Sequence, residues 1–329
     1  MRIGIIGGGP AGVFTAKKIK ALLPETDIVI YETTSYGLYA KIRLPEFLAG
    51  TLEPEKLIME SVEKFRSEGL DYRITTVKSV DPVTKTILSD DGKTETFTHI
   101  IFATGAFAFL PPIPGLAEND QTVTLRTMDD VTAIQQKIQP GKQAVVIGGG
   151  VLGLEAAFAL QKQGMKVAVL ECQDRLMQNL NFSAEKSAAL KDLLEQNGLQ
   201  IHTGCAIKQV SSNGSTQVEL ADGTIYECSL LLVSAGIRSN LSLAKAAGLD
   251  CKRGICVNAR LETNVSGIYA IGDCAEQNGV IAGLWIAAKN QGEALAEIIA
   301  EKRDEYIYPP VKPILKIAGL NLTSVTKMV

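Results

Sequence analysis

One glycine-rich pattern occurs twice in the chain, and it constrains the fold more than any other feature. Residues 3–12 read IGIIGGGPAG and residues 144–153 read AVVIGGGVLG. In both copies a short apolar run leads into the pattern G-x-G-x-x-G. The copies lie about 140 residues apart, which is too far for a solenoid repeat and close to the length of one domain. The duplication therefore predicts two domains of similar fold.

Each copy continues with the same order of elements. A helix is predicted after the glycine turn, and a second apolar run then ends in a glutamate, Glu32 in the first copy and Glu171 in the second. Strand, helix and strand in this order form a right-handed βαβ unit with parallel strands. The predicted helices and second strands cover residues 10–22 and 27–32 in the first copy, and residues 151–163 and 166–171 in the second.

Later segments extend the same architecture. Apolar runs that end in small residues indicate further parallel strands, and Asp-Gly turns between alternating residues indicate hairpins. The predicted strands lie at residues 100–105, 230–236 and 267–273, the hairpin turns at 90–92 and 222–223, and a long helix at about 285–302. The fold class is therefore α/β with two Rossmann-like domains.

The two glycine turns have the chemistry of dinucleotide sites. The first glycine makes a sharp turn, the second lets the backbone approach a pyrophosphate, and the third lets helix and strand pack closely. The following helix offers unpaired N–H groups and a positive dipole end to the phosphates. Glu32 and Glu171 stand about 20 residues further on, where a carboxylate accepts hydrogen bonds from ribose hydroxyls. Because a carboxylate repels a 2′-phosphate, Glu171 favours NADH over NADPH.

Composition and charge disfavour several other classes. Among 329 residues, 33 are Lys or Arg and 36 are Asp or Glu, so the net charge of −3 disfavours nucleic-acid binding. The longest uncharged stretch, residues 100–117, holds glycines and prolines that would break a membrane-spanning helix. The six cysteines are scattered and the chain starts directly with a strand-like run, so we expect a cytoplasmic protein with reduced thiols.

No metal site is expected from the sequence. The chain has two histidines, His99 and His202, and neither has a partner at a spacing typical of metal ligands. Each is expected to be a surface residue at the start of a strand.

The chain resembles the two-dinucleotide flavoproteins, which are pyridine nucleotide-dependent flavin reductases. The resemblance lies in both glycine motifs, the Ala-Thr-Gly at residues 103–105 and the Gly-Asp at residues 272–273, and it runs over nearly the whole chain. It implies FAD at the first motif and NAD(P)H in a second domain that is inserted into the first. The expected FAD domain covers residues 1–112 and 241–307, and the NAD(H) domain covers residues 113–240. A short C-terminal stub, residues 308–329, would begin an interface element.

A closer resemblance is carried by residues 39–46, which read YAKIRLPE, and by residues 283–292 and 315–319. These segments resemble NADH:rubredoxin oxidoreductases and the flavin domain of the nitrite reductase large subunit, although Lys41 stands where Arg is usual. The resemblance implies an enzyme that passes hydride from NADH to flavin and then electrons to a small redox protein such as rubredoxin. One alternative is a flavin subunit that serves a fused or associated metal-centre subunit. Another is a flavin-binding redox-sensing module without turnover. The acceptor and the oligomeric state are left open.

The motifs and the resemblance together give the candidate site residues. Lys41 and Glu155 are expected near the reacting flavin and nicotinamide, and Glu155 is expected on the first turn of its helix. Alternatively, Glu155 only complements the positive helix N-terminus. The residues expected to bind the two cofactors are Gly7, Gly9, Pro10, Ala11, Gly12, Glu32, Lys41, Arg43, Val77, Thr104, Gly105, Gly148, Gly150, Gly153, Glu171, Gly236, Gly272, Asp273 and Trp285.

Thiol chemistry is not expected. Disulfide reductases of this superfamily carry a C-x-x-x-x-C pair early in the FAD domain, but the first cysteine of this chain is Cys172. Single-cysteine peroxidases and oxidases carry theirs near the position of Ile42. Cys251 and Cys256 have the C-x-x-x-x-C spacing but fall in a late segment, so both are expected to be structural. Cys274 is expected to be a packing residue.

Overall fold

The computed structural model describes residues 1–180, 182–309 and 315. Its α-helices are α1 (Pro10–Leu22), α2 (Leu44–Leu48), α3 (Val62–Ser67), α4 (Met128–Lys137), α5 (Val151–Lys162), α6 (Ala184–Gln196), α7 (Ser242–Ala246) and α8 (Trp285–Ile299). Short 3-10 turns cover Lys41–Arg43, Pro54–Leu57, Gln178–Leu180 and Gly272–Cys274.

The β-strands are β1 (Arg2–Ile6), β2 (Asp27–Glu32), β3 (Leu38–Tyr39), β4 (Ile58–Glu60), β5 (Asp71–Ile74), β6 (Val77–Asp81), β7 (Thr86–Ser89), β8 (Thr94–Thr96), β9 (His99–Phe102), β10 (Ala106–Ala108), β11 (Thr122–Thr124), β12 (Gln143–Ile147), β13 (Lys166–Leu170), β14 (Gln200–His202), β15 (Ile207–Ser212), β16 (Thr216–Leu220), β17 (Ile225–Cys228), β18 (Leu230–Val233), β19 (Ile237–Ser239), β20 (Ile255–Val257), β21 (Ile268–Ala270) and β22 (Ala275–Gln277).

The chain divides into two compact units. Unit 1 contains Met1–Ala40, Ile58–Phe107 and Ile237–Val311, the last as far as it is described. Unit 2 contains Lys41–Leu57, Ala108–Gly236 and Leu315. The long segment of unit 2 interrupts unit 1 along the chain, which agrees with the predicted insertion of one domain into another. The domain bounds at residues 112, 240 and 307 stay predictions.

Unit 1 is built on a five-stranded parallel sheet in the order β21-β9-β1-β2-β5. The central strands are apolar on both faces, and Ile5, Ile30 and Ile101 are fully buried, as expected for a sheet covered on both sides. Helix α8 packs directly on α1. The two backbones are so close at Gly292 that a Cβ there would lie 2.5 Å from the carbonyl oxygen of Ala11. An antiparallel sheet, β6-β7-β8, adds to this unit.

Unit 2 repeats this plan. Its parallel sheet has the order β11-β18-β12-β13-β14, and an antiparallel sheet, β15-β16-β17, follows in the chain. The glycine-motif strands β1 and β12 are therefore at the centre of equivalent sheets. One edge strand differs in origin, since β21 is the last strand of its parallel sheet along the chain whereas β11 is the first strand of its own. The predicted α/β class with two Rossmann-like units is confirmed.

Most predicted elements lie where the sequence patterns put them. Helix α1 and strand β2 have the predicted bounds, because Pro10 suits the first helical position and Glu32 ends the apolar run. Helix α8 ends at Ile299, earlier than the predicted bound near residue 302. The predicted C-terminal element lies outside the described residues except for Tyr308, Pro309 and Leu315. In the part of the chain that the structure describes, no helix is long and apolar enough to span a bilayer.

Candidate dinucleotide-binding sites

The first glycine turn connects β1 to α1, and at two of its positions neighbouring backbone leaves no space for a side chain. Gly7 has a φ of +117°, and a Cβ there would lie 2.2 Å from the carbonyl oxygen of Ala103. A Cβ at Gly12 would lie 2.1 Å from the carbonyl oxygen of Gly7. At Gly9, by contrast, a Cβ would meet no described atom within 4 Å. The turn is thus tight at its first and third glycines and open at its second, which is the shape that a pyrophosphate requires.

The second glycine turn, between β12 and α5, has the same geometry. Gly148 has a φ of +116°, and a Cβ there would lie 2.3 Å from the carbonyl oxygen of Ser234. A Cβ at Gly153 would lie 2.1 Å from the carbonyl oxygen of Gly148. The space at Gly150 is open to 4 Å as far as the described atoms extend. The duplication seen in the sequence therefore includes the stereochemistry of the turn.

The helices that follow the two turns present their positive ends to this open space. Gly9 is the N-cap of α1 and Gly150 is the N-cap of α5, so neither cap has a side chain to accept a hydrogen bond from the helix. No acidic residue lies in the first turn of either of these two described helices. Both helix ends can therefore be capped by an anionic ligand. Pro10 occupies the first position of α1, and Ala11, which is 5% exposed, packs beneath the turn.

A glutamate fixes the middle of each turn. Glu32 Oε2 accepts the main-chain N–H of Gly8 at 2.8 Å, and Glu171 Oε2 accepts that of Gly149 at 2.5 Å. Both motifs read G-G-G, and the middle glycine of the first has little room for a side chain, because a Cβ at Gly8 would lie 2.2 Å from Tyr72 Oη. Sequence reasoning assigned these glutamates to ribose and missed their contact with the turn. The middle glycine, which both copies of the motif contain, is the sequence feature that could have indicated this contact.

The strand-end turns lie beside the glycine turns. Thr104 and Gly105 follow β9, and the hydroxyl of Thr104 donates to the carbonyl oxygen of Asn240 at 2.9 Å. Asn240 N–H in turn donates to the carbonyl oxygen of Gly105 at 2.9 Å. In unit 2 the equivalent turn after β18 contains Gly236, whose φ is +95°. The structure thus brings Thr104 to the first turn, where its nitrogen would lie 3.4 Å from a Cβ at Gly7. Gly105 directly follows Thr104, and Gly236 comes two residues after Ser234, the residue that borders the second turn.

The Gly-Asp motif is held by residues that sequence reasoning did not assign. Gly272 follows β21, and its N–H donates to the side-chain oxygen of Gln291 in α8 at 2.6 Å. The hydroxyl of Ser239 donates to the carbonyl oxygen of Asp273 at 2.7 Å. A Cβ at Gly272 would lie 3.0 Å from the Cβ of Ala11 in α1. Gly272 and Asp273 therefore lie close to the start of α1, in the same unit as the first glycine turn.

Trp285 supplies a further polar group in unit 1. Its ring packs edge-on against Phe14 of α1, with ring centroids 5.7 Å apart. Its indole N–H is buried and has no hydrogen-bond partner among the described residues. A buried donor without a partner costs free energy, and an acceptor atom on a bound ligand would remove that cost. Together with the open position at Gly9, this N–H makes unit 1 compatible with a bound dinucleotide.

Three further residues, Val77, Lys41 and Arg43, were predicted to bind the cofactors. Val77 begins β6 opposite Ser89 and is half-buried against the core of unit 1. Lys41 and Arg43 lie in a 3-10 turn that belongs to unit 2 by its contacts, whereas the first glycine turn belongs to unit 1. The Arg43 guanidinium forms two hydrogen bonds with the Glu46 carboxylate, at 3.0 and 2.6 Å, and this pairing raises the pKa of Arg43. The roles of these residues stay predictions.

Glu155 is not where the sequence reasoning put it. Helix α5 begins at Val151, and its first turn contains no acidic residue, so Glu155 lies in the second turn rather than the first. The helix dipole acts mainly within the first turn. Charge complementarity at the helix start therefore explains Glu155 less well than the sequence reasoning assumed. Its side chain is half-buried.

The cysteines are free thiols in this structure. Cys251 and Cys256 are half-buried and do not form a disulfide, and burial raises the pKa of Cys251. Cys274 is fully buried, its Sγ lies 3.2 Å from the carbonyl oxygen of Ile271, and burial raises its pKa. Cys274 is a packing residue, as predicted.

The histidines differ in position. His99 begins β9, as predicted, whereas His202 ends β14, so the prediction of a strand start was wrong there. Both are half-buried, and their rings lie against Tyr269 and Tyr226 respectively. Among residues 1–180, 182–309 and 315, no cluster of three or more His, Cys, Asp or Glu side chains has the geometry to hold a metal ion.

Comparison with known proteins gives a consistent result. The model of the pyridine nucleotide-disulphide oxidoreductase family matches residues 1–292. The assimilatory nitrate reductase electron transfer subunit of Bacillus subtilis is 33% identical over 334 residues, which cover 99% of this chain and 43% of that protein. The rubredoxin-NAD(+) reductase of Acinetobacter baylyi is 31% identical, over 97% of this chain and 83% of that protein.

Solved structures agree with the sequence comparison. The NADH:rubredoxin oxidoreductase from Clostridium acetobutylicum superposes with a TM-score of 0.80 at 26% identity, over 97% of this chain and 80% of that one. Some of the curated relatives are much longer than this chain, which spans less than half of the Bacillus subtilis subunit.

Proposed function

The chain belongs to the pyridine nucleotide-disulphide oxidoreductase family, and from this premise we propose that it is an FAD-dependent NADH reductase that passes electrons to a small electron-carrier protein. One observation carries the proposal. Each unit has a glycine turn that is open at its second glycine, an uncapped helix end and a carboxylate at the end of the next strand. Two such turns in one chain suit two dinucleotides, one that stays bound and one that exchanges.

We assign FAD to unit 1. The first turn, with Gly7, Gly9 and Gly12, would hold the pyrophosphate, and the Gly272–Cys274 turn lies close to the same helix end. The indole N–H of Trp285, which has no partner among the described residues, would find an acceptor on the cofactor. When bound, FAD supplies the redox chemistry, because it takes a hydride from NADH and releases electrons to an acceptor. We also propose that the FAD domain covers residues 1–112 and 241–307. These bounds include residues 41–57, which their contacts group with unit 2.

We assign NADH to unit 2, within residues 113–240. The turn with Gly148, Gly150 and Gly153 would hold its pyrophosphate, and Glu171 would accept its ribose hydroxyls. Glu171 is 9% exposed, so its negative charge is poorly screened by solvent and would oppose a 2′-phosphate. NADH is therefore the proposed substrate, with NADPH disfavoured.

Lys41 and Glu155 are the proposed residues near the reacting atoms. Lys41 would place a positive charge beside the flavin. Glu155, one turn into α5, would orient the nicotinamide through its carboxylate. Both would act by positioning and electrostatics, which are the contributions that a protein makes when a cofactor carries the chemistry.

Two acceptors have support from relatives. The Acinetobacter baylyi relative, named as a rubredoxin-NAD(+) reductase, covers 97% of this chain and 83% of its own length, which favours a rubredoxin-like carrier. The 33% identity to an electron transfer subunit of nitrate assimilation supports the second candidate, a flavin subunit that serves a fused or associated metal-centre subunit. We further propose a cytoplasmic location, because all six cysteines are free in the structure.

An anaerobic titration tests the proposal. The protein is loaded with FAD and mixed with NADH or NADPH, and the absorbance of oxidised flavin at about 450 nm is followed. Bleaching by NADH is expected, and no bleaching by either nucleotide would contradict the proposal.

The acceptor is then identified from steady-state NADH consumption with rubredoxin, nitrite, ferricyanide and oxygen. Fast turnover with rubredoxin supports the carrier, whereas nitrite reduction that appears only when a metal-centre partner is added supports the second candidate. Flavin reduction without turnover on any acceptor would indicate a redox-sensing module instead.

A further inference from the structure

Tyr72 carries a buried hydroxyl for which the described residues offer no hydrogen-bond partner. The residue lies in β5 and is 0% exposed, and its Oη forms no hydrogen bond within the described structure. Its ring stacks on Phe65, with centroids 5.3 Å apart and an interplanar angle of 19°. Its carbonyl oxygen accepts two hydrogen bonds from the Arg66 guanidinium, at 3.0 and 3.2 Å. The hydroxyl is thus fixed in place at a cost in free energy that no described contact repays.

The hydroxyl points at the first glycine turn. A Cβ at Gly8 would lie 2.2 Å from Tyr72 Oη and 3.1 Å from the Cβ of Glu32. Burial and, to a smaller extent, the negative charge of Glu32 raise the pKa of Tyr72. The group therefore stays protonated at neutral pH and remains a hydrogen-bond donor beside the contact between Gly8 and Glu32.

The Glu32 carboxylate is already occupied when no ligand is present. Oε2 accepts the N–H of Gly8 at 2.8 Å, and Oε1 accepts the N–H and the hydroxyl of Thr33 at 2.7 and 3.0 Å. The N–H of Thr34 lies 3.3 Å from the same oxygen. A carboxylate has about four acceptor positions. Ribose hydroxyls can therefore bind Glu32 only if some of these loop donors are released.

A hydroxyl group lies beside the first glycine turn, whereas the second glycine turn has no hydroxyl at the equivalent position. Tyr72 pairs with Ile30 in unit 1, and the equivalent position of unit 2, paired with Val169, is Ile201. The middle glycine of the second turn faces an apolar group instead, because a Cβ at Gly149 would lie 2.5 Å from a methyl group of Leu176. Two turns of equal geometry thus differ in one polar atom.

We propose that Tyr72 is a positioning residue for the adenosine ribose of FAD. Its hydroxyl donates a hydrogen bond to the Glu32 carboxylate when ribose hydroxyls replace loop donors there, and so keeps that carboxylate oriented towards the ribose. The inference rests on the proposed function, since it takes the first glycine turn as the FAD site. It involves hydrogen-bond exchange alone.

The variant Tyr72→Phe tests the proposal, because it removes one oxygen atom and leaves the ring. The full-length chain is freed of FAD and titrated with FAD by flavin fluorescence, and thermal unfolding is recorded before and after addition. We expect the FAD dissociation constant to rise about tenfold, the worth of one hydrogen bond to a carboxylate. The FAD-free variant should unfold at the same temperature as the parent protein or a higher one.

Two further variants serve as controls. Tyr306→Phe removes another buried hydroxyl without a partner in the described structure, one that lies near Arg303, and it should leave FAD affinity unchanged. In a Glu32→Ala background, Tyr72→Phe should add little to the loss of FAD affinity, because the two side chains act as a pair.

Three results would overturn the inference. They are an FAD affinity within twofold of the parent protein, an FAD-free variant that is destabilised or does not fold, and a full tenfold effect that persists without Glu32. Failure of the parent protein itself to bind FAD would overturn the proposed function as well, so the two failures are distinguishable.

Discussion

The side-chain oxygen of Gln291 accepts the main-chain N–H of Gly272 at 2.6 Å. Gln291 is 0% exposed, so this hydrogen bond is shielded from water and fixes the Gly-Asp turn to helix α8. Helix α8 in turn packs on α1, the helix that begins at the first glycine turn. One side chain thus connects the two parts of the chain that we propose to hold FAD.

Replacing Gln291 by leucine should weaken FAD binding. The substitution leaves the N–H of Gly272 buried without an acceptor, which costs about 1–3 kcal/mol of folding free energy. We expect about a tenfold higher dissociation constant for FAD and a lower unfolding temperature, measured by flavin fluorescence and calorimetry. Gln196→Leu, at an exposed position on α6, is the matched control and should change neither quantity. Normal FAD content and stability in the Gln291→Leu variant would show that the contact is dispensable.

The sequence could predict the elements because they depend on local patterns. Helix α1 has its predicted bounds since Pro10 favours a helix start, and β2 ends at the predicted glutamate. The hydrogen bond from Gly272 to Gln291 and the closeness of Tyr72 to Gly8 could not be predicted, because each joins residues that are distant in the chain. His202 was misplaced because no pattern distinguishes the start of a short strand from its end.

Replacing the second glycine of each turn by alanine should weaken cofactor binding without changing the stability of the fold. A Cβ at Gly9 or Gly150 meets no described atom, and both residues have extended backbone angles that alanine adopts. We expect Gly9→Ala to lower FAD affinity at least tenfold, and Gly150→Ala to raise KM for NADH with normal FAD content. Each should change unfolding free energy by less than about 0.5 kcal/mol in the FAD-free protein.

The third glycine of the first turn provides the contrast to these two variants. A Cβ at Gly12 would lie 2.1 Å from the carbonyl oxygen of Gly7, so Gly12→Ala should destabilise the fold itself. Equal losses of stability in Gly9→Ala and Gly12→Ala would contradict the finding that the turn is open at Gly9 and tight at Gly12.

Removing the Glu171 side chain should change the preference between the two nicotinamide nucleotides. Glu171→Ala eliminates a carboxylate that would accept ribose hydroxyls and repel a 2′-phosphate. We expect kcat/KM for NADH to fall at least tenfold, whereas kcat/KM for NADPH should not fall. Glu171→Gln keeps an oxygen for the N–H of Gly149 and should retain stability. A parallel fall for both nucleotides would mean that the residue acts through the turn alone.

Glu155 should affect the reaction with NADH and not the binding of FAD. It lies in the second turn of α5, where the helix dipole gives a carboxylate little stabilisation. We expect Glu155→Gln to slow flavin reduction by NADH about tenfold in stopped-flow measurements, with unchanged FAD content. Glu185→Gln, in the first turn of α6 and exposed, is the control of equal charge change. If NADH reduces the Glu155→Gln variant at the parent rate and with the parent affinity, Glu155 has no role in the reaction.

Glu95 should make unit 1 sensitive to acid. Its partial burial alone would raise its pKa, but hydrogen bonds from Arg73, Arg2 and Tyr31 outweigh burial and lower the pKa to about 2. Since this lies below the ordinary value of 4.5, the carboxylate stabilises the fold fully above pH 4.5 and progressively less as the pH falls towards 2. Glu95→Gln should therefore cost about 1–3 kcal/mol at pH 7, allowing for the partial exposure of the arginines, and about half of that or less near pH 3. Urea unfolding at the two pH values measures this difference, with the exposed Glu185→Gln as control. A cost that is independent of pH would show that the amide loses packing or hydrogen bonds rather than charge.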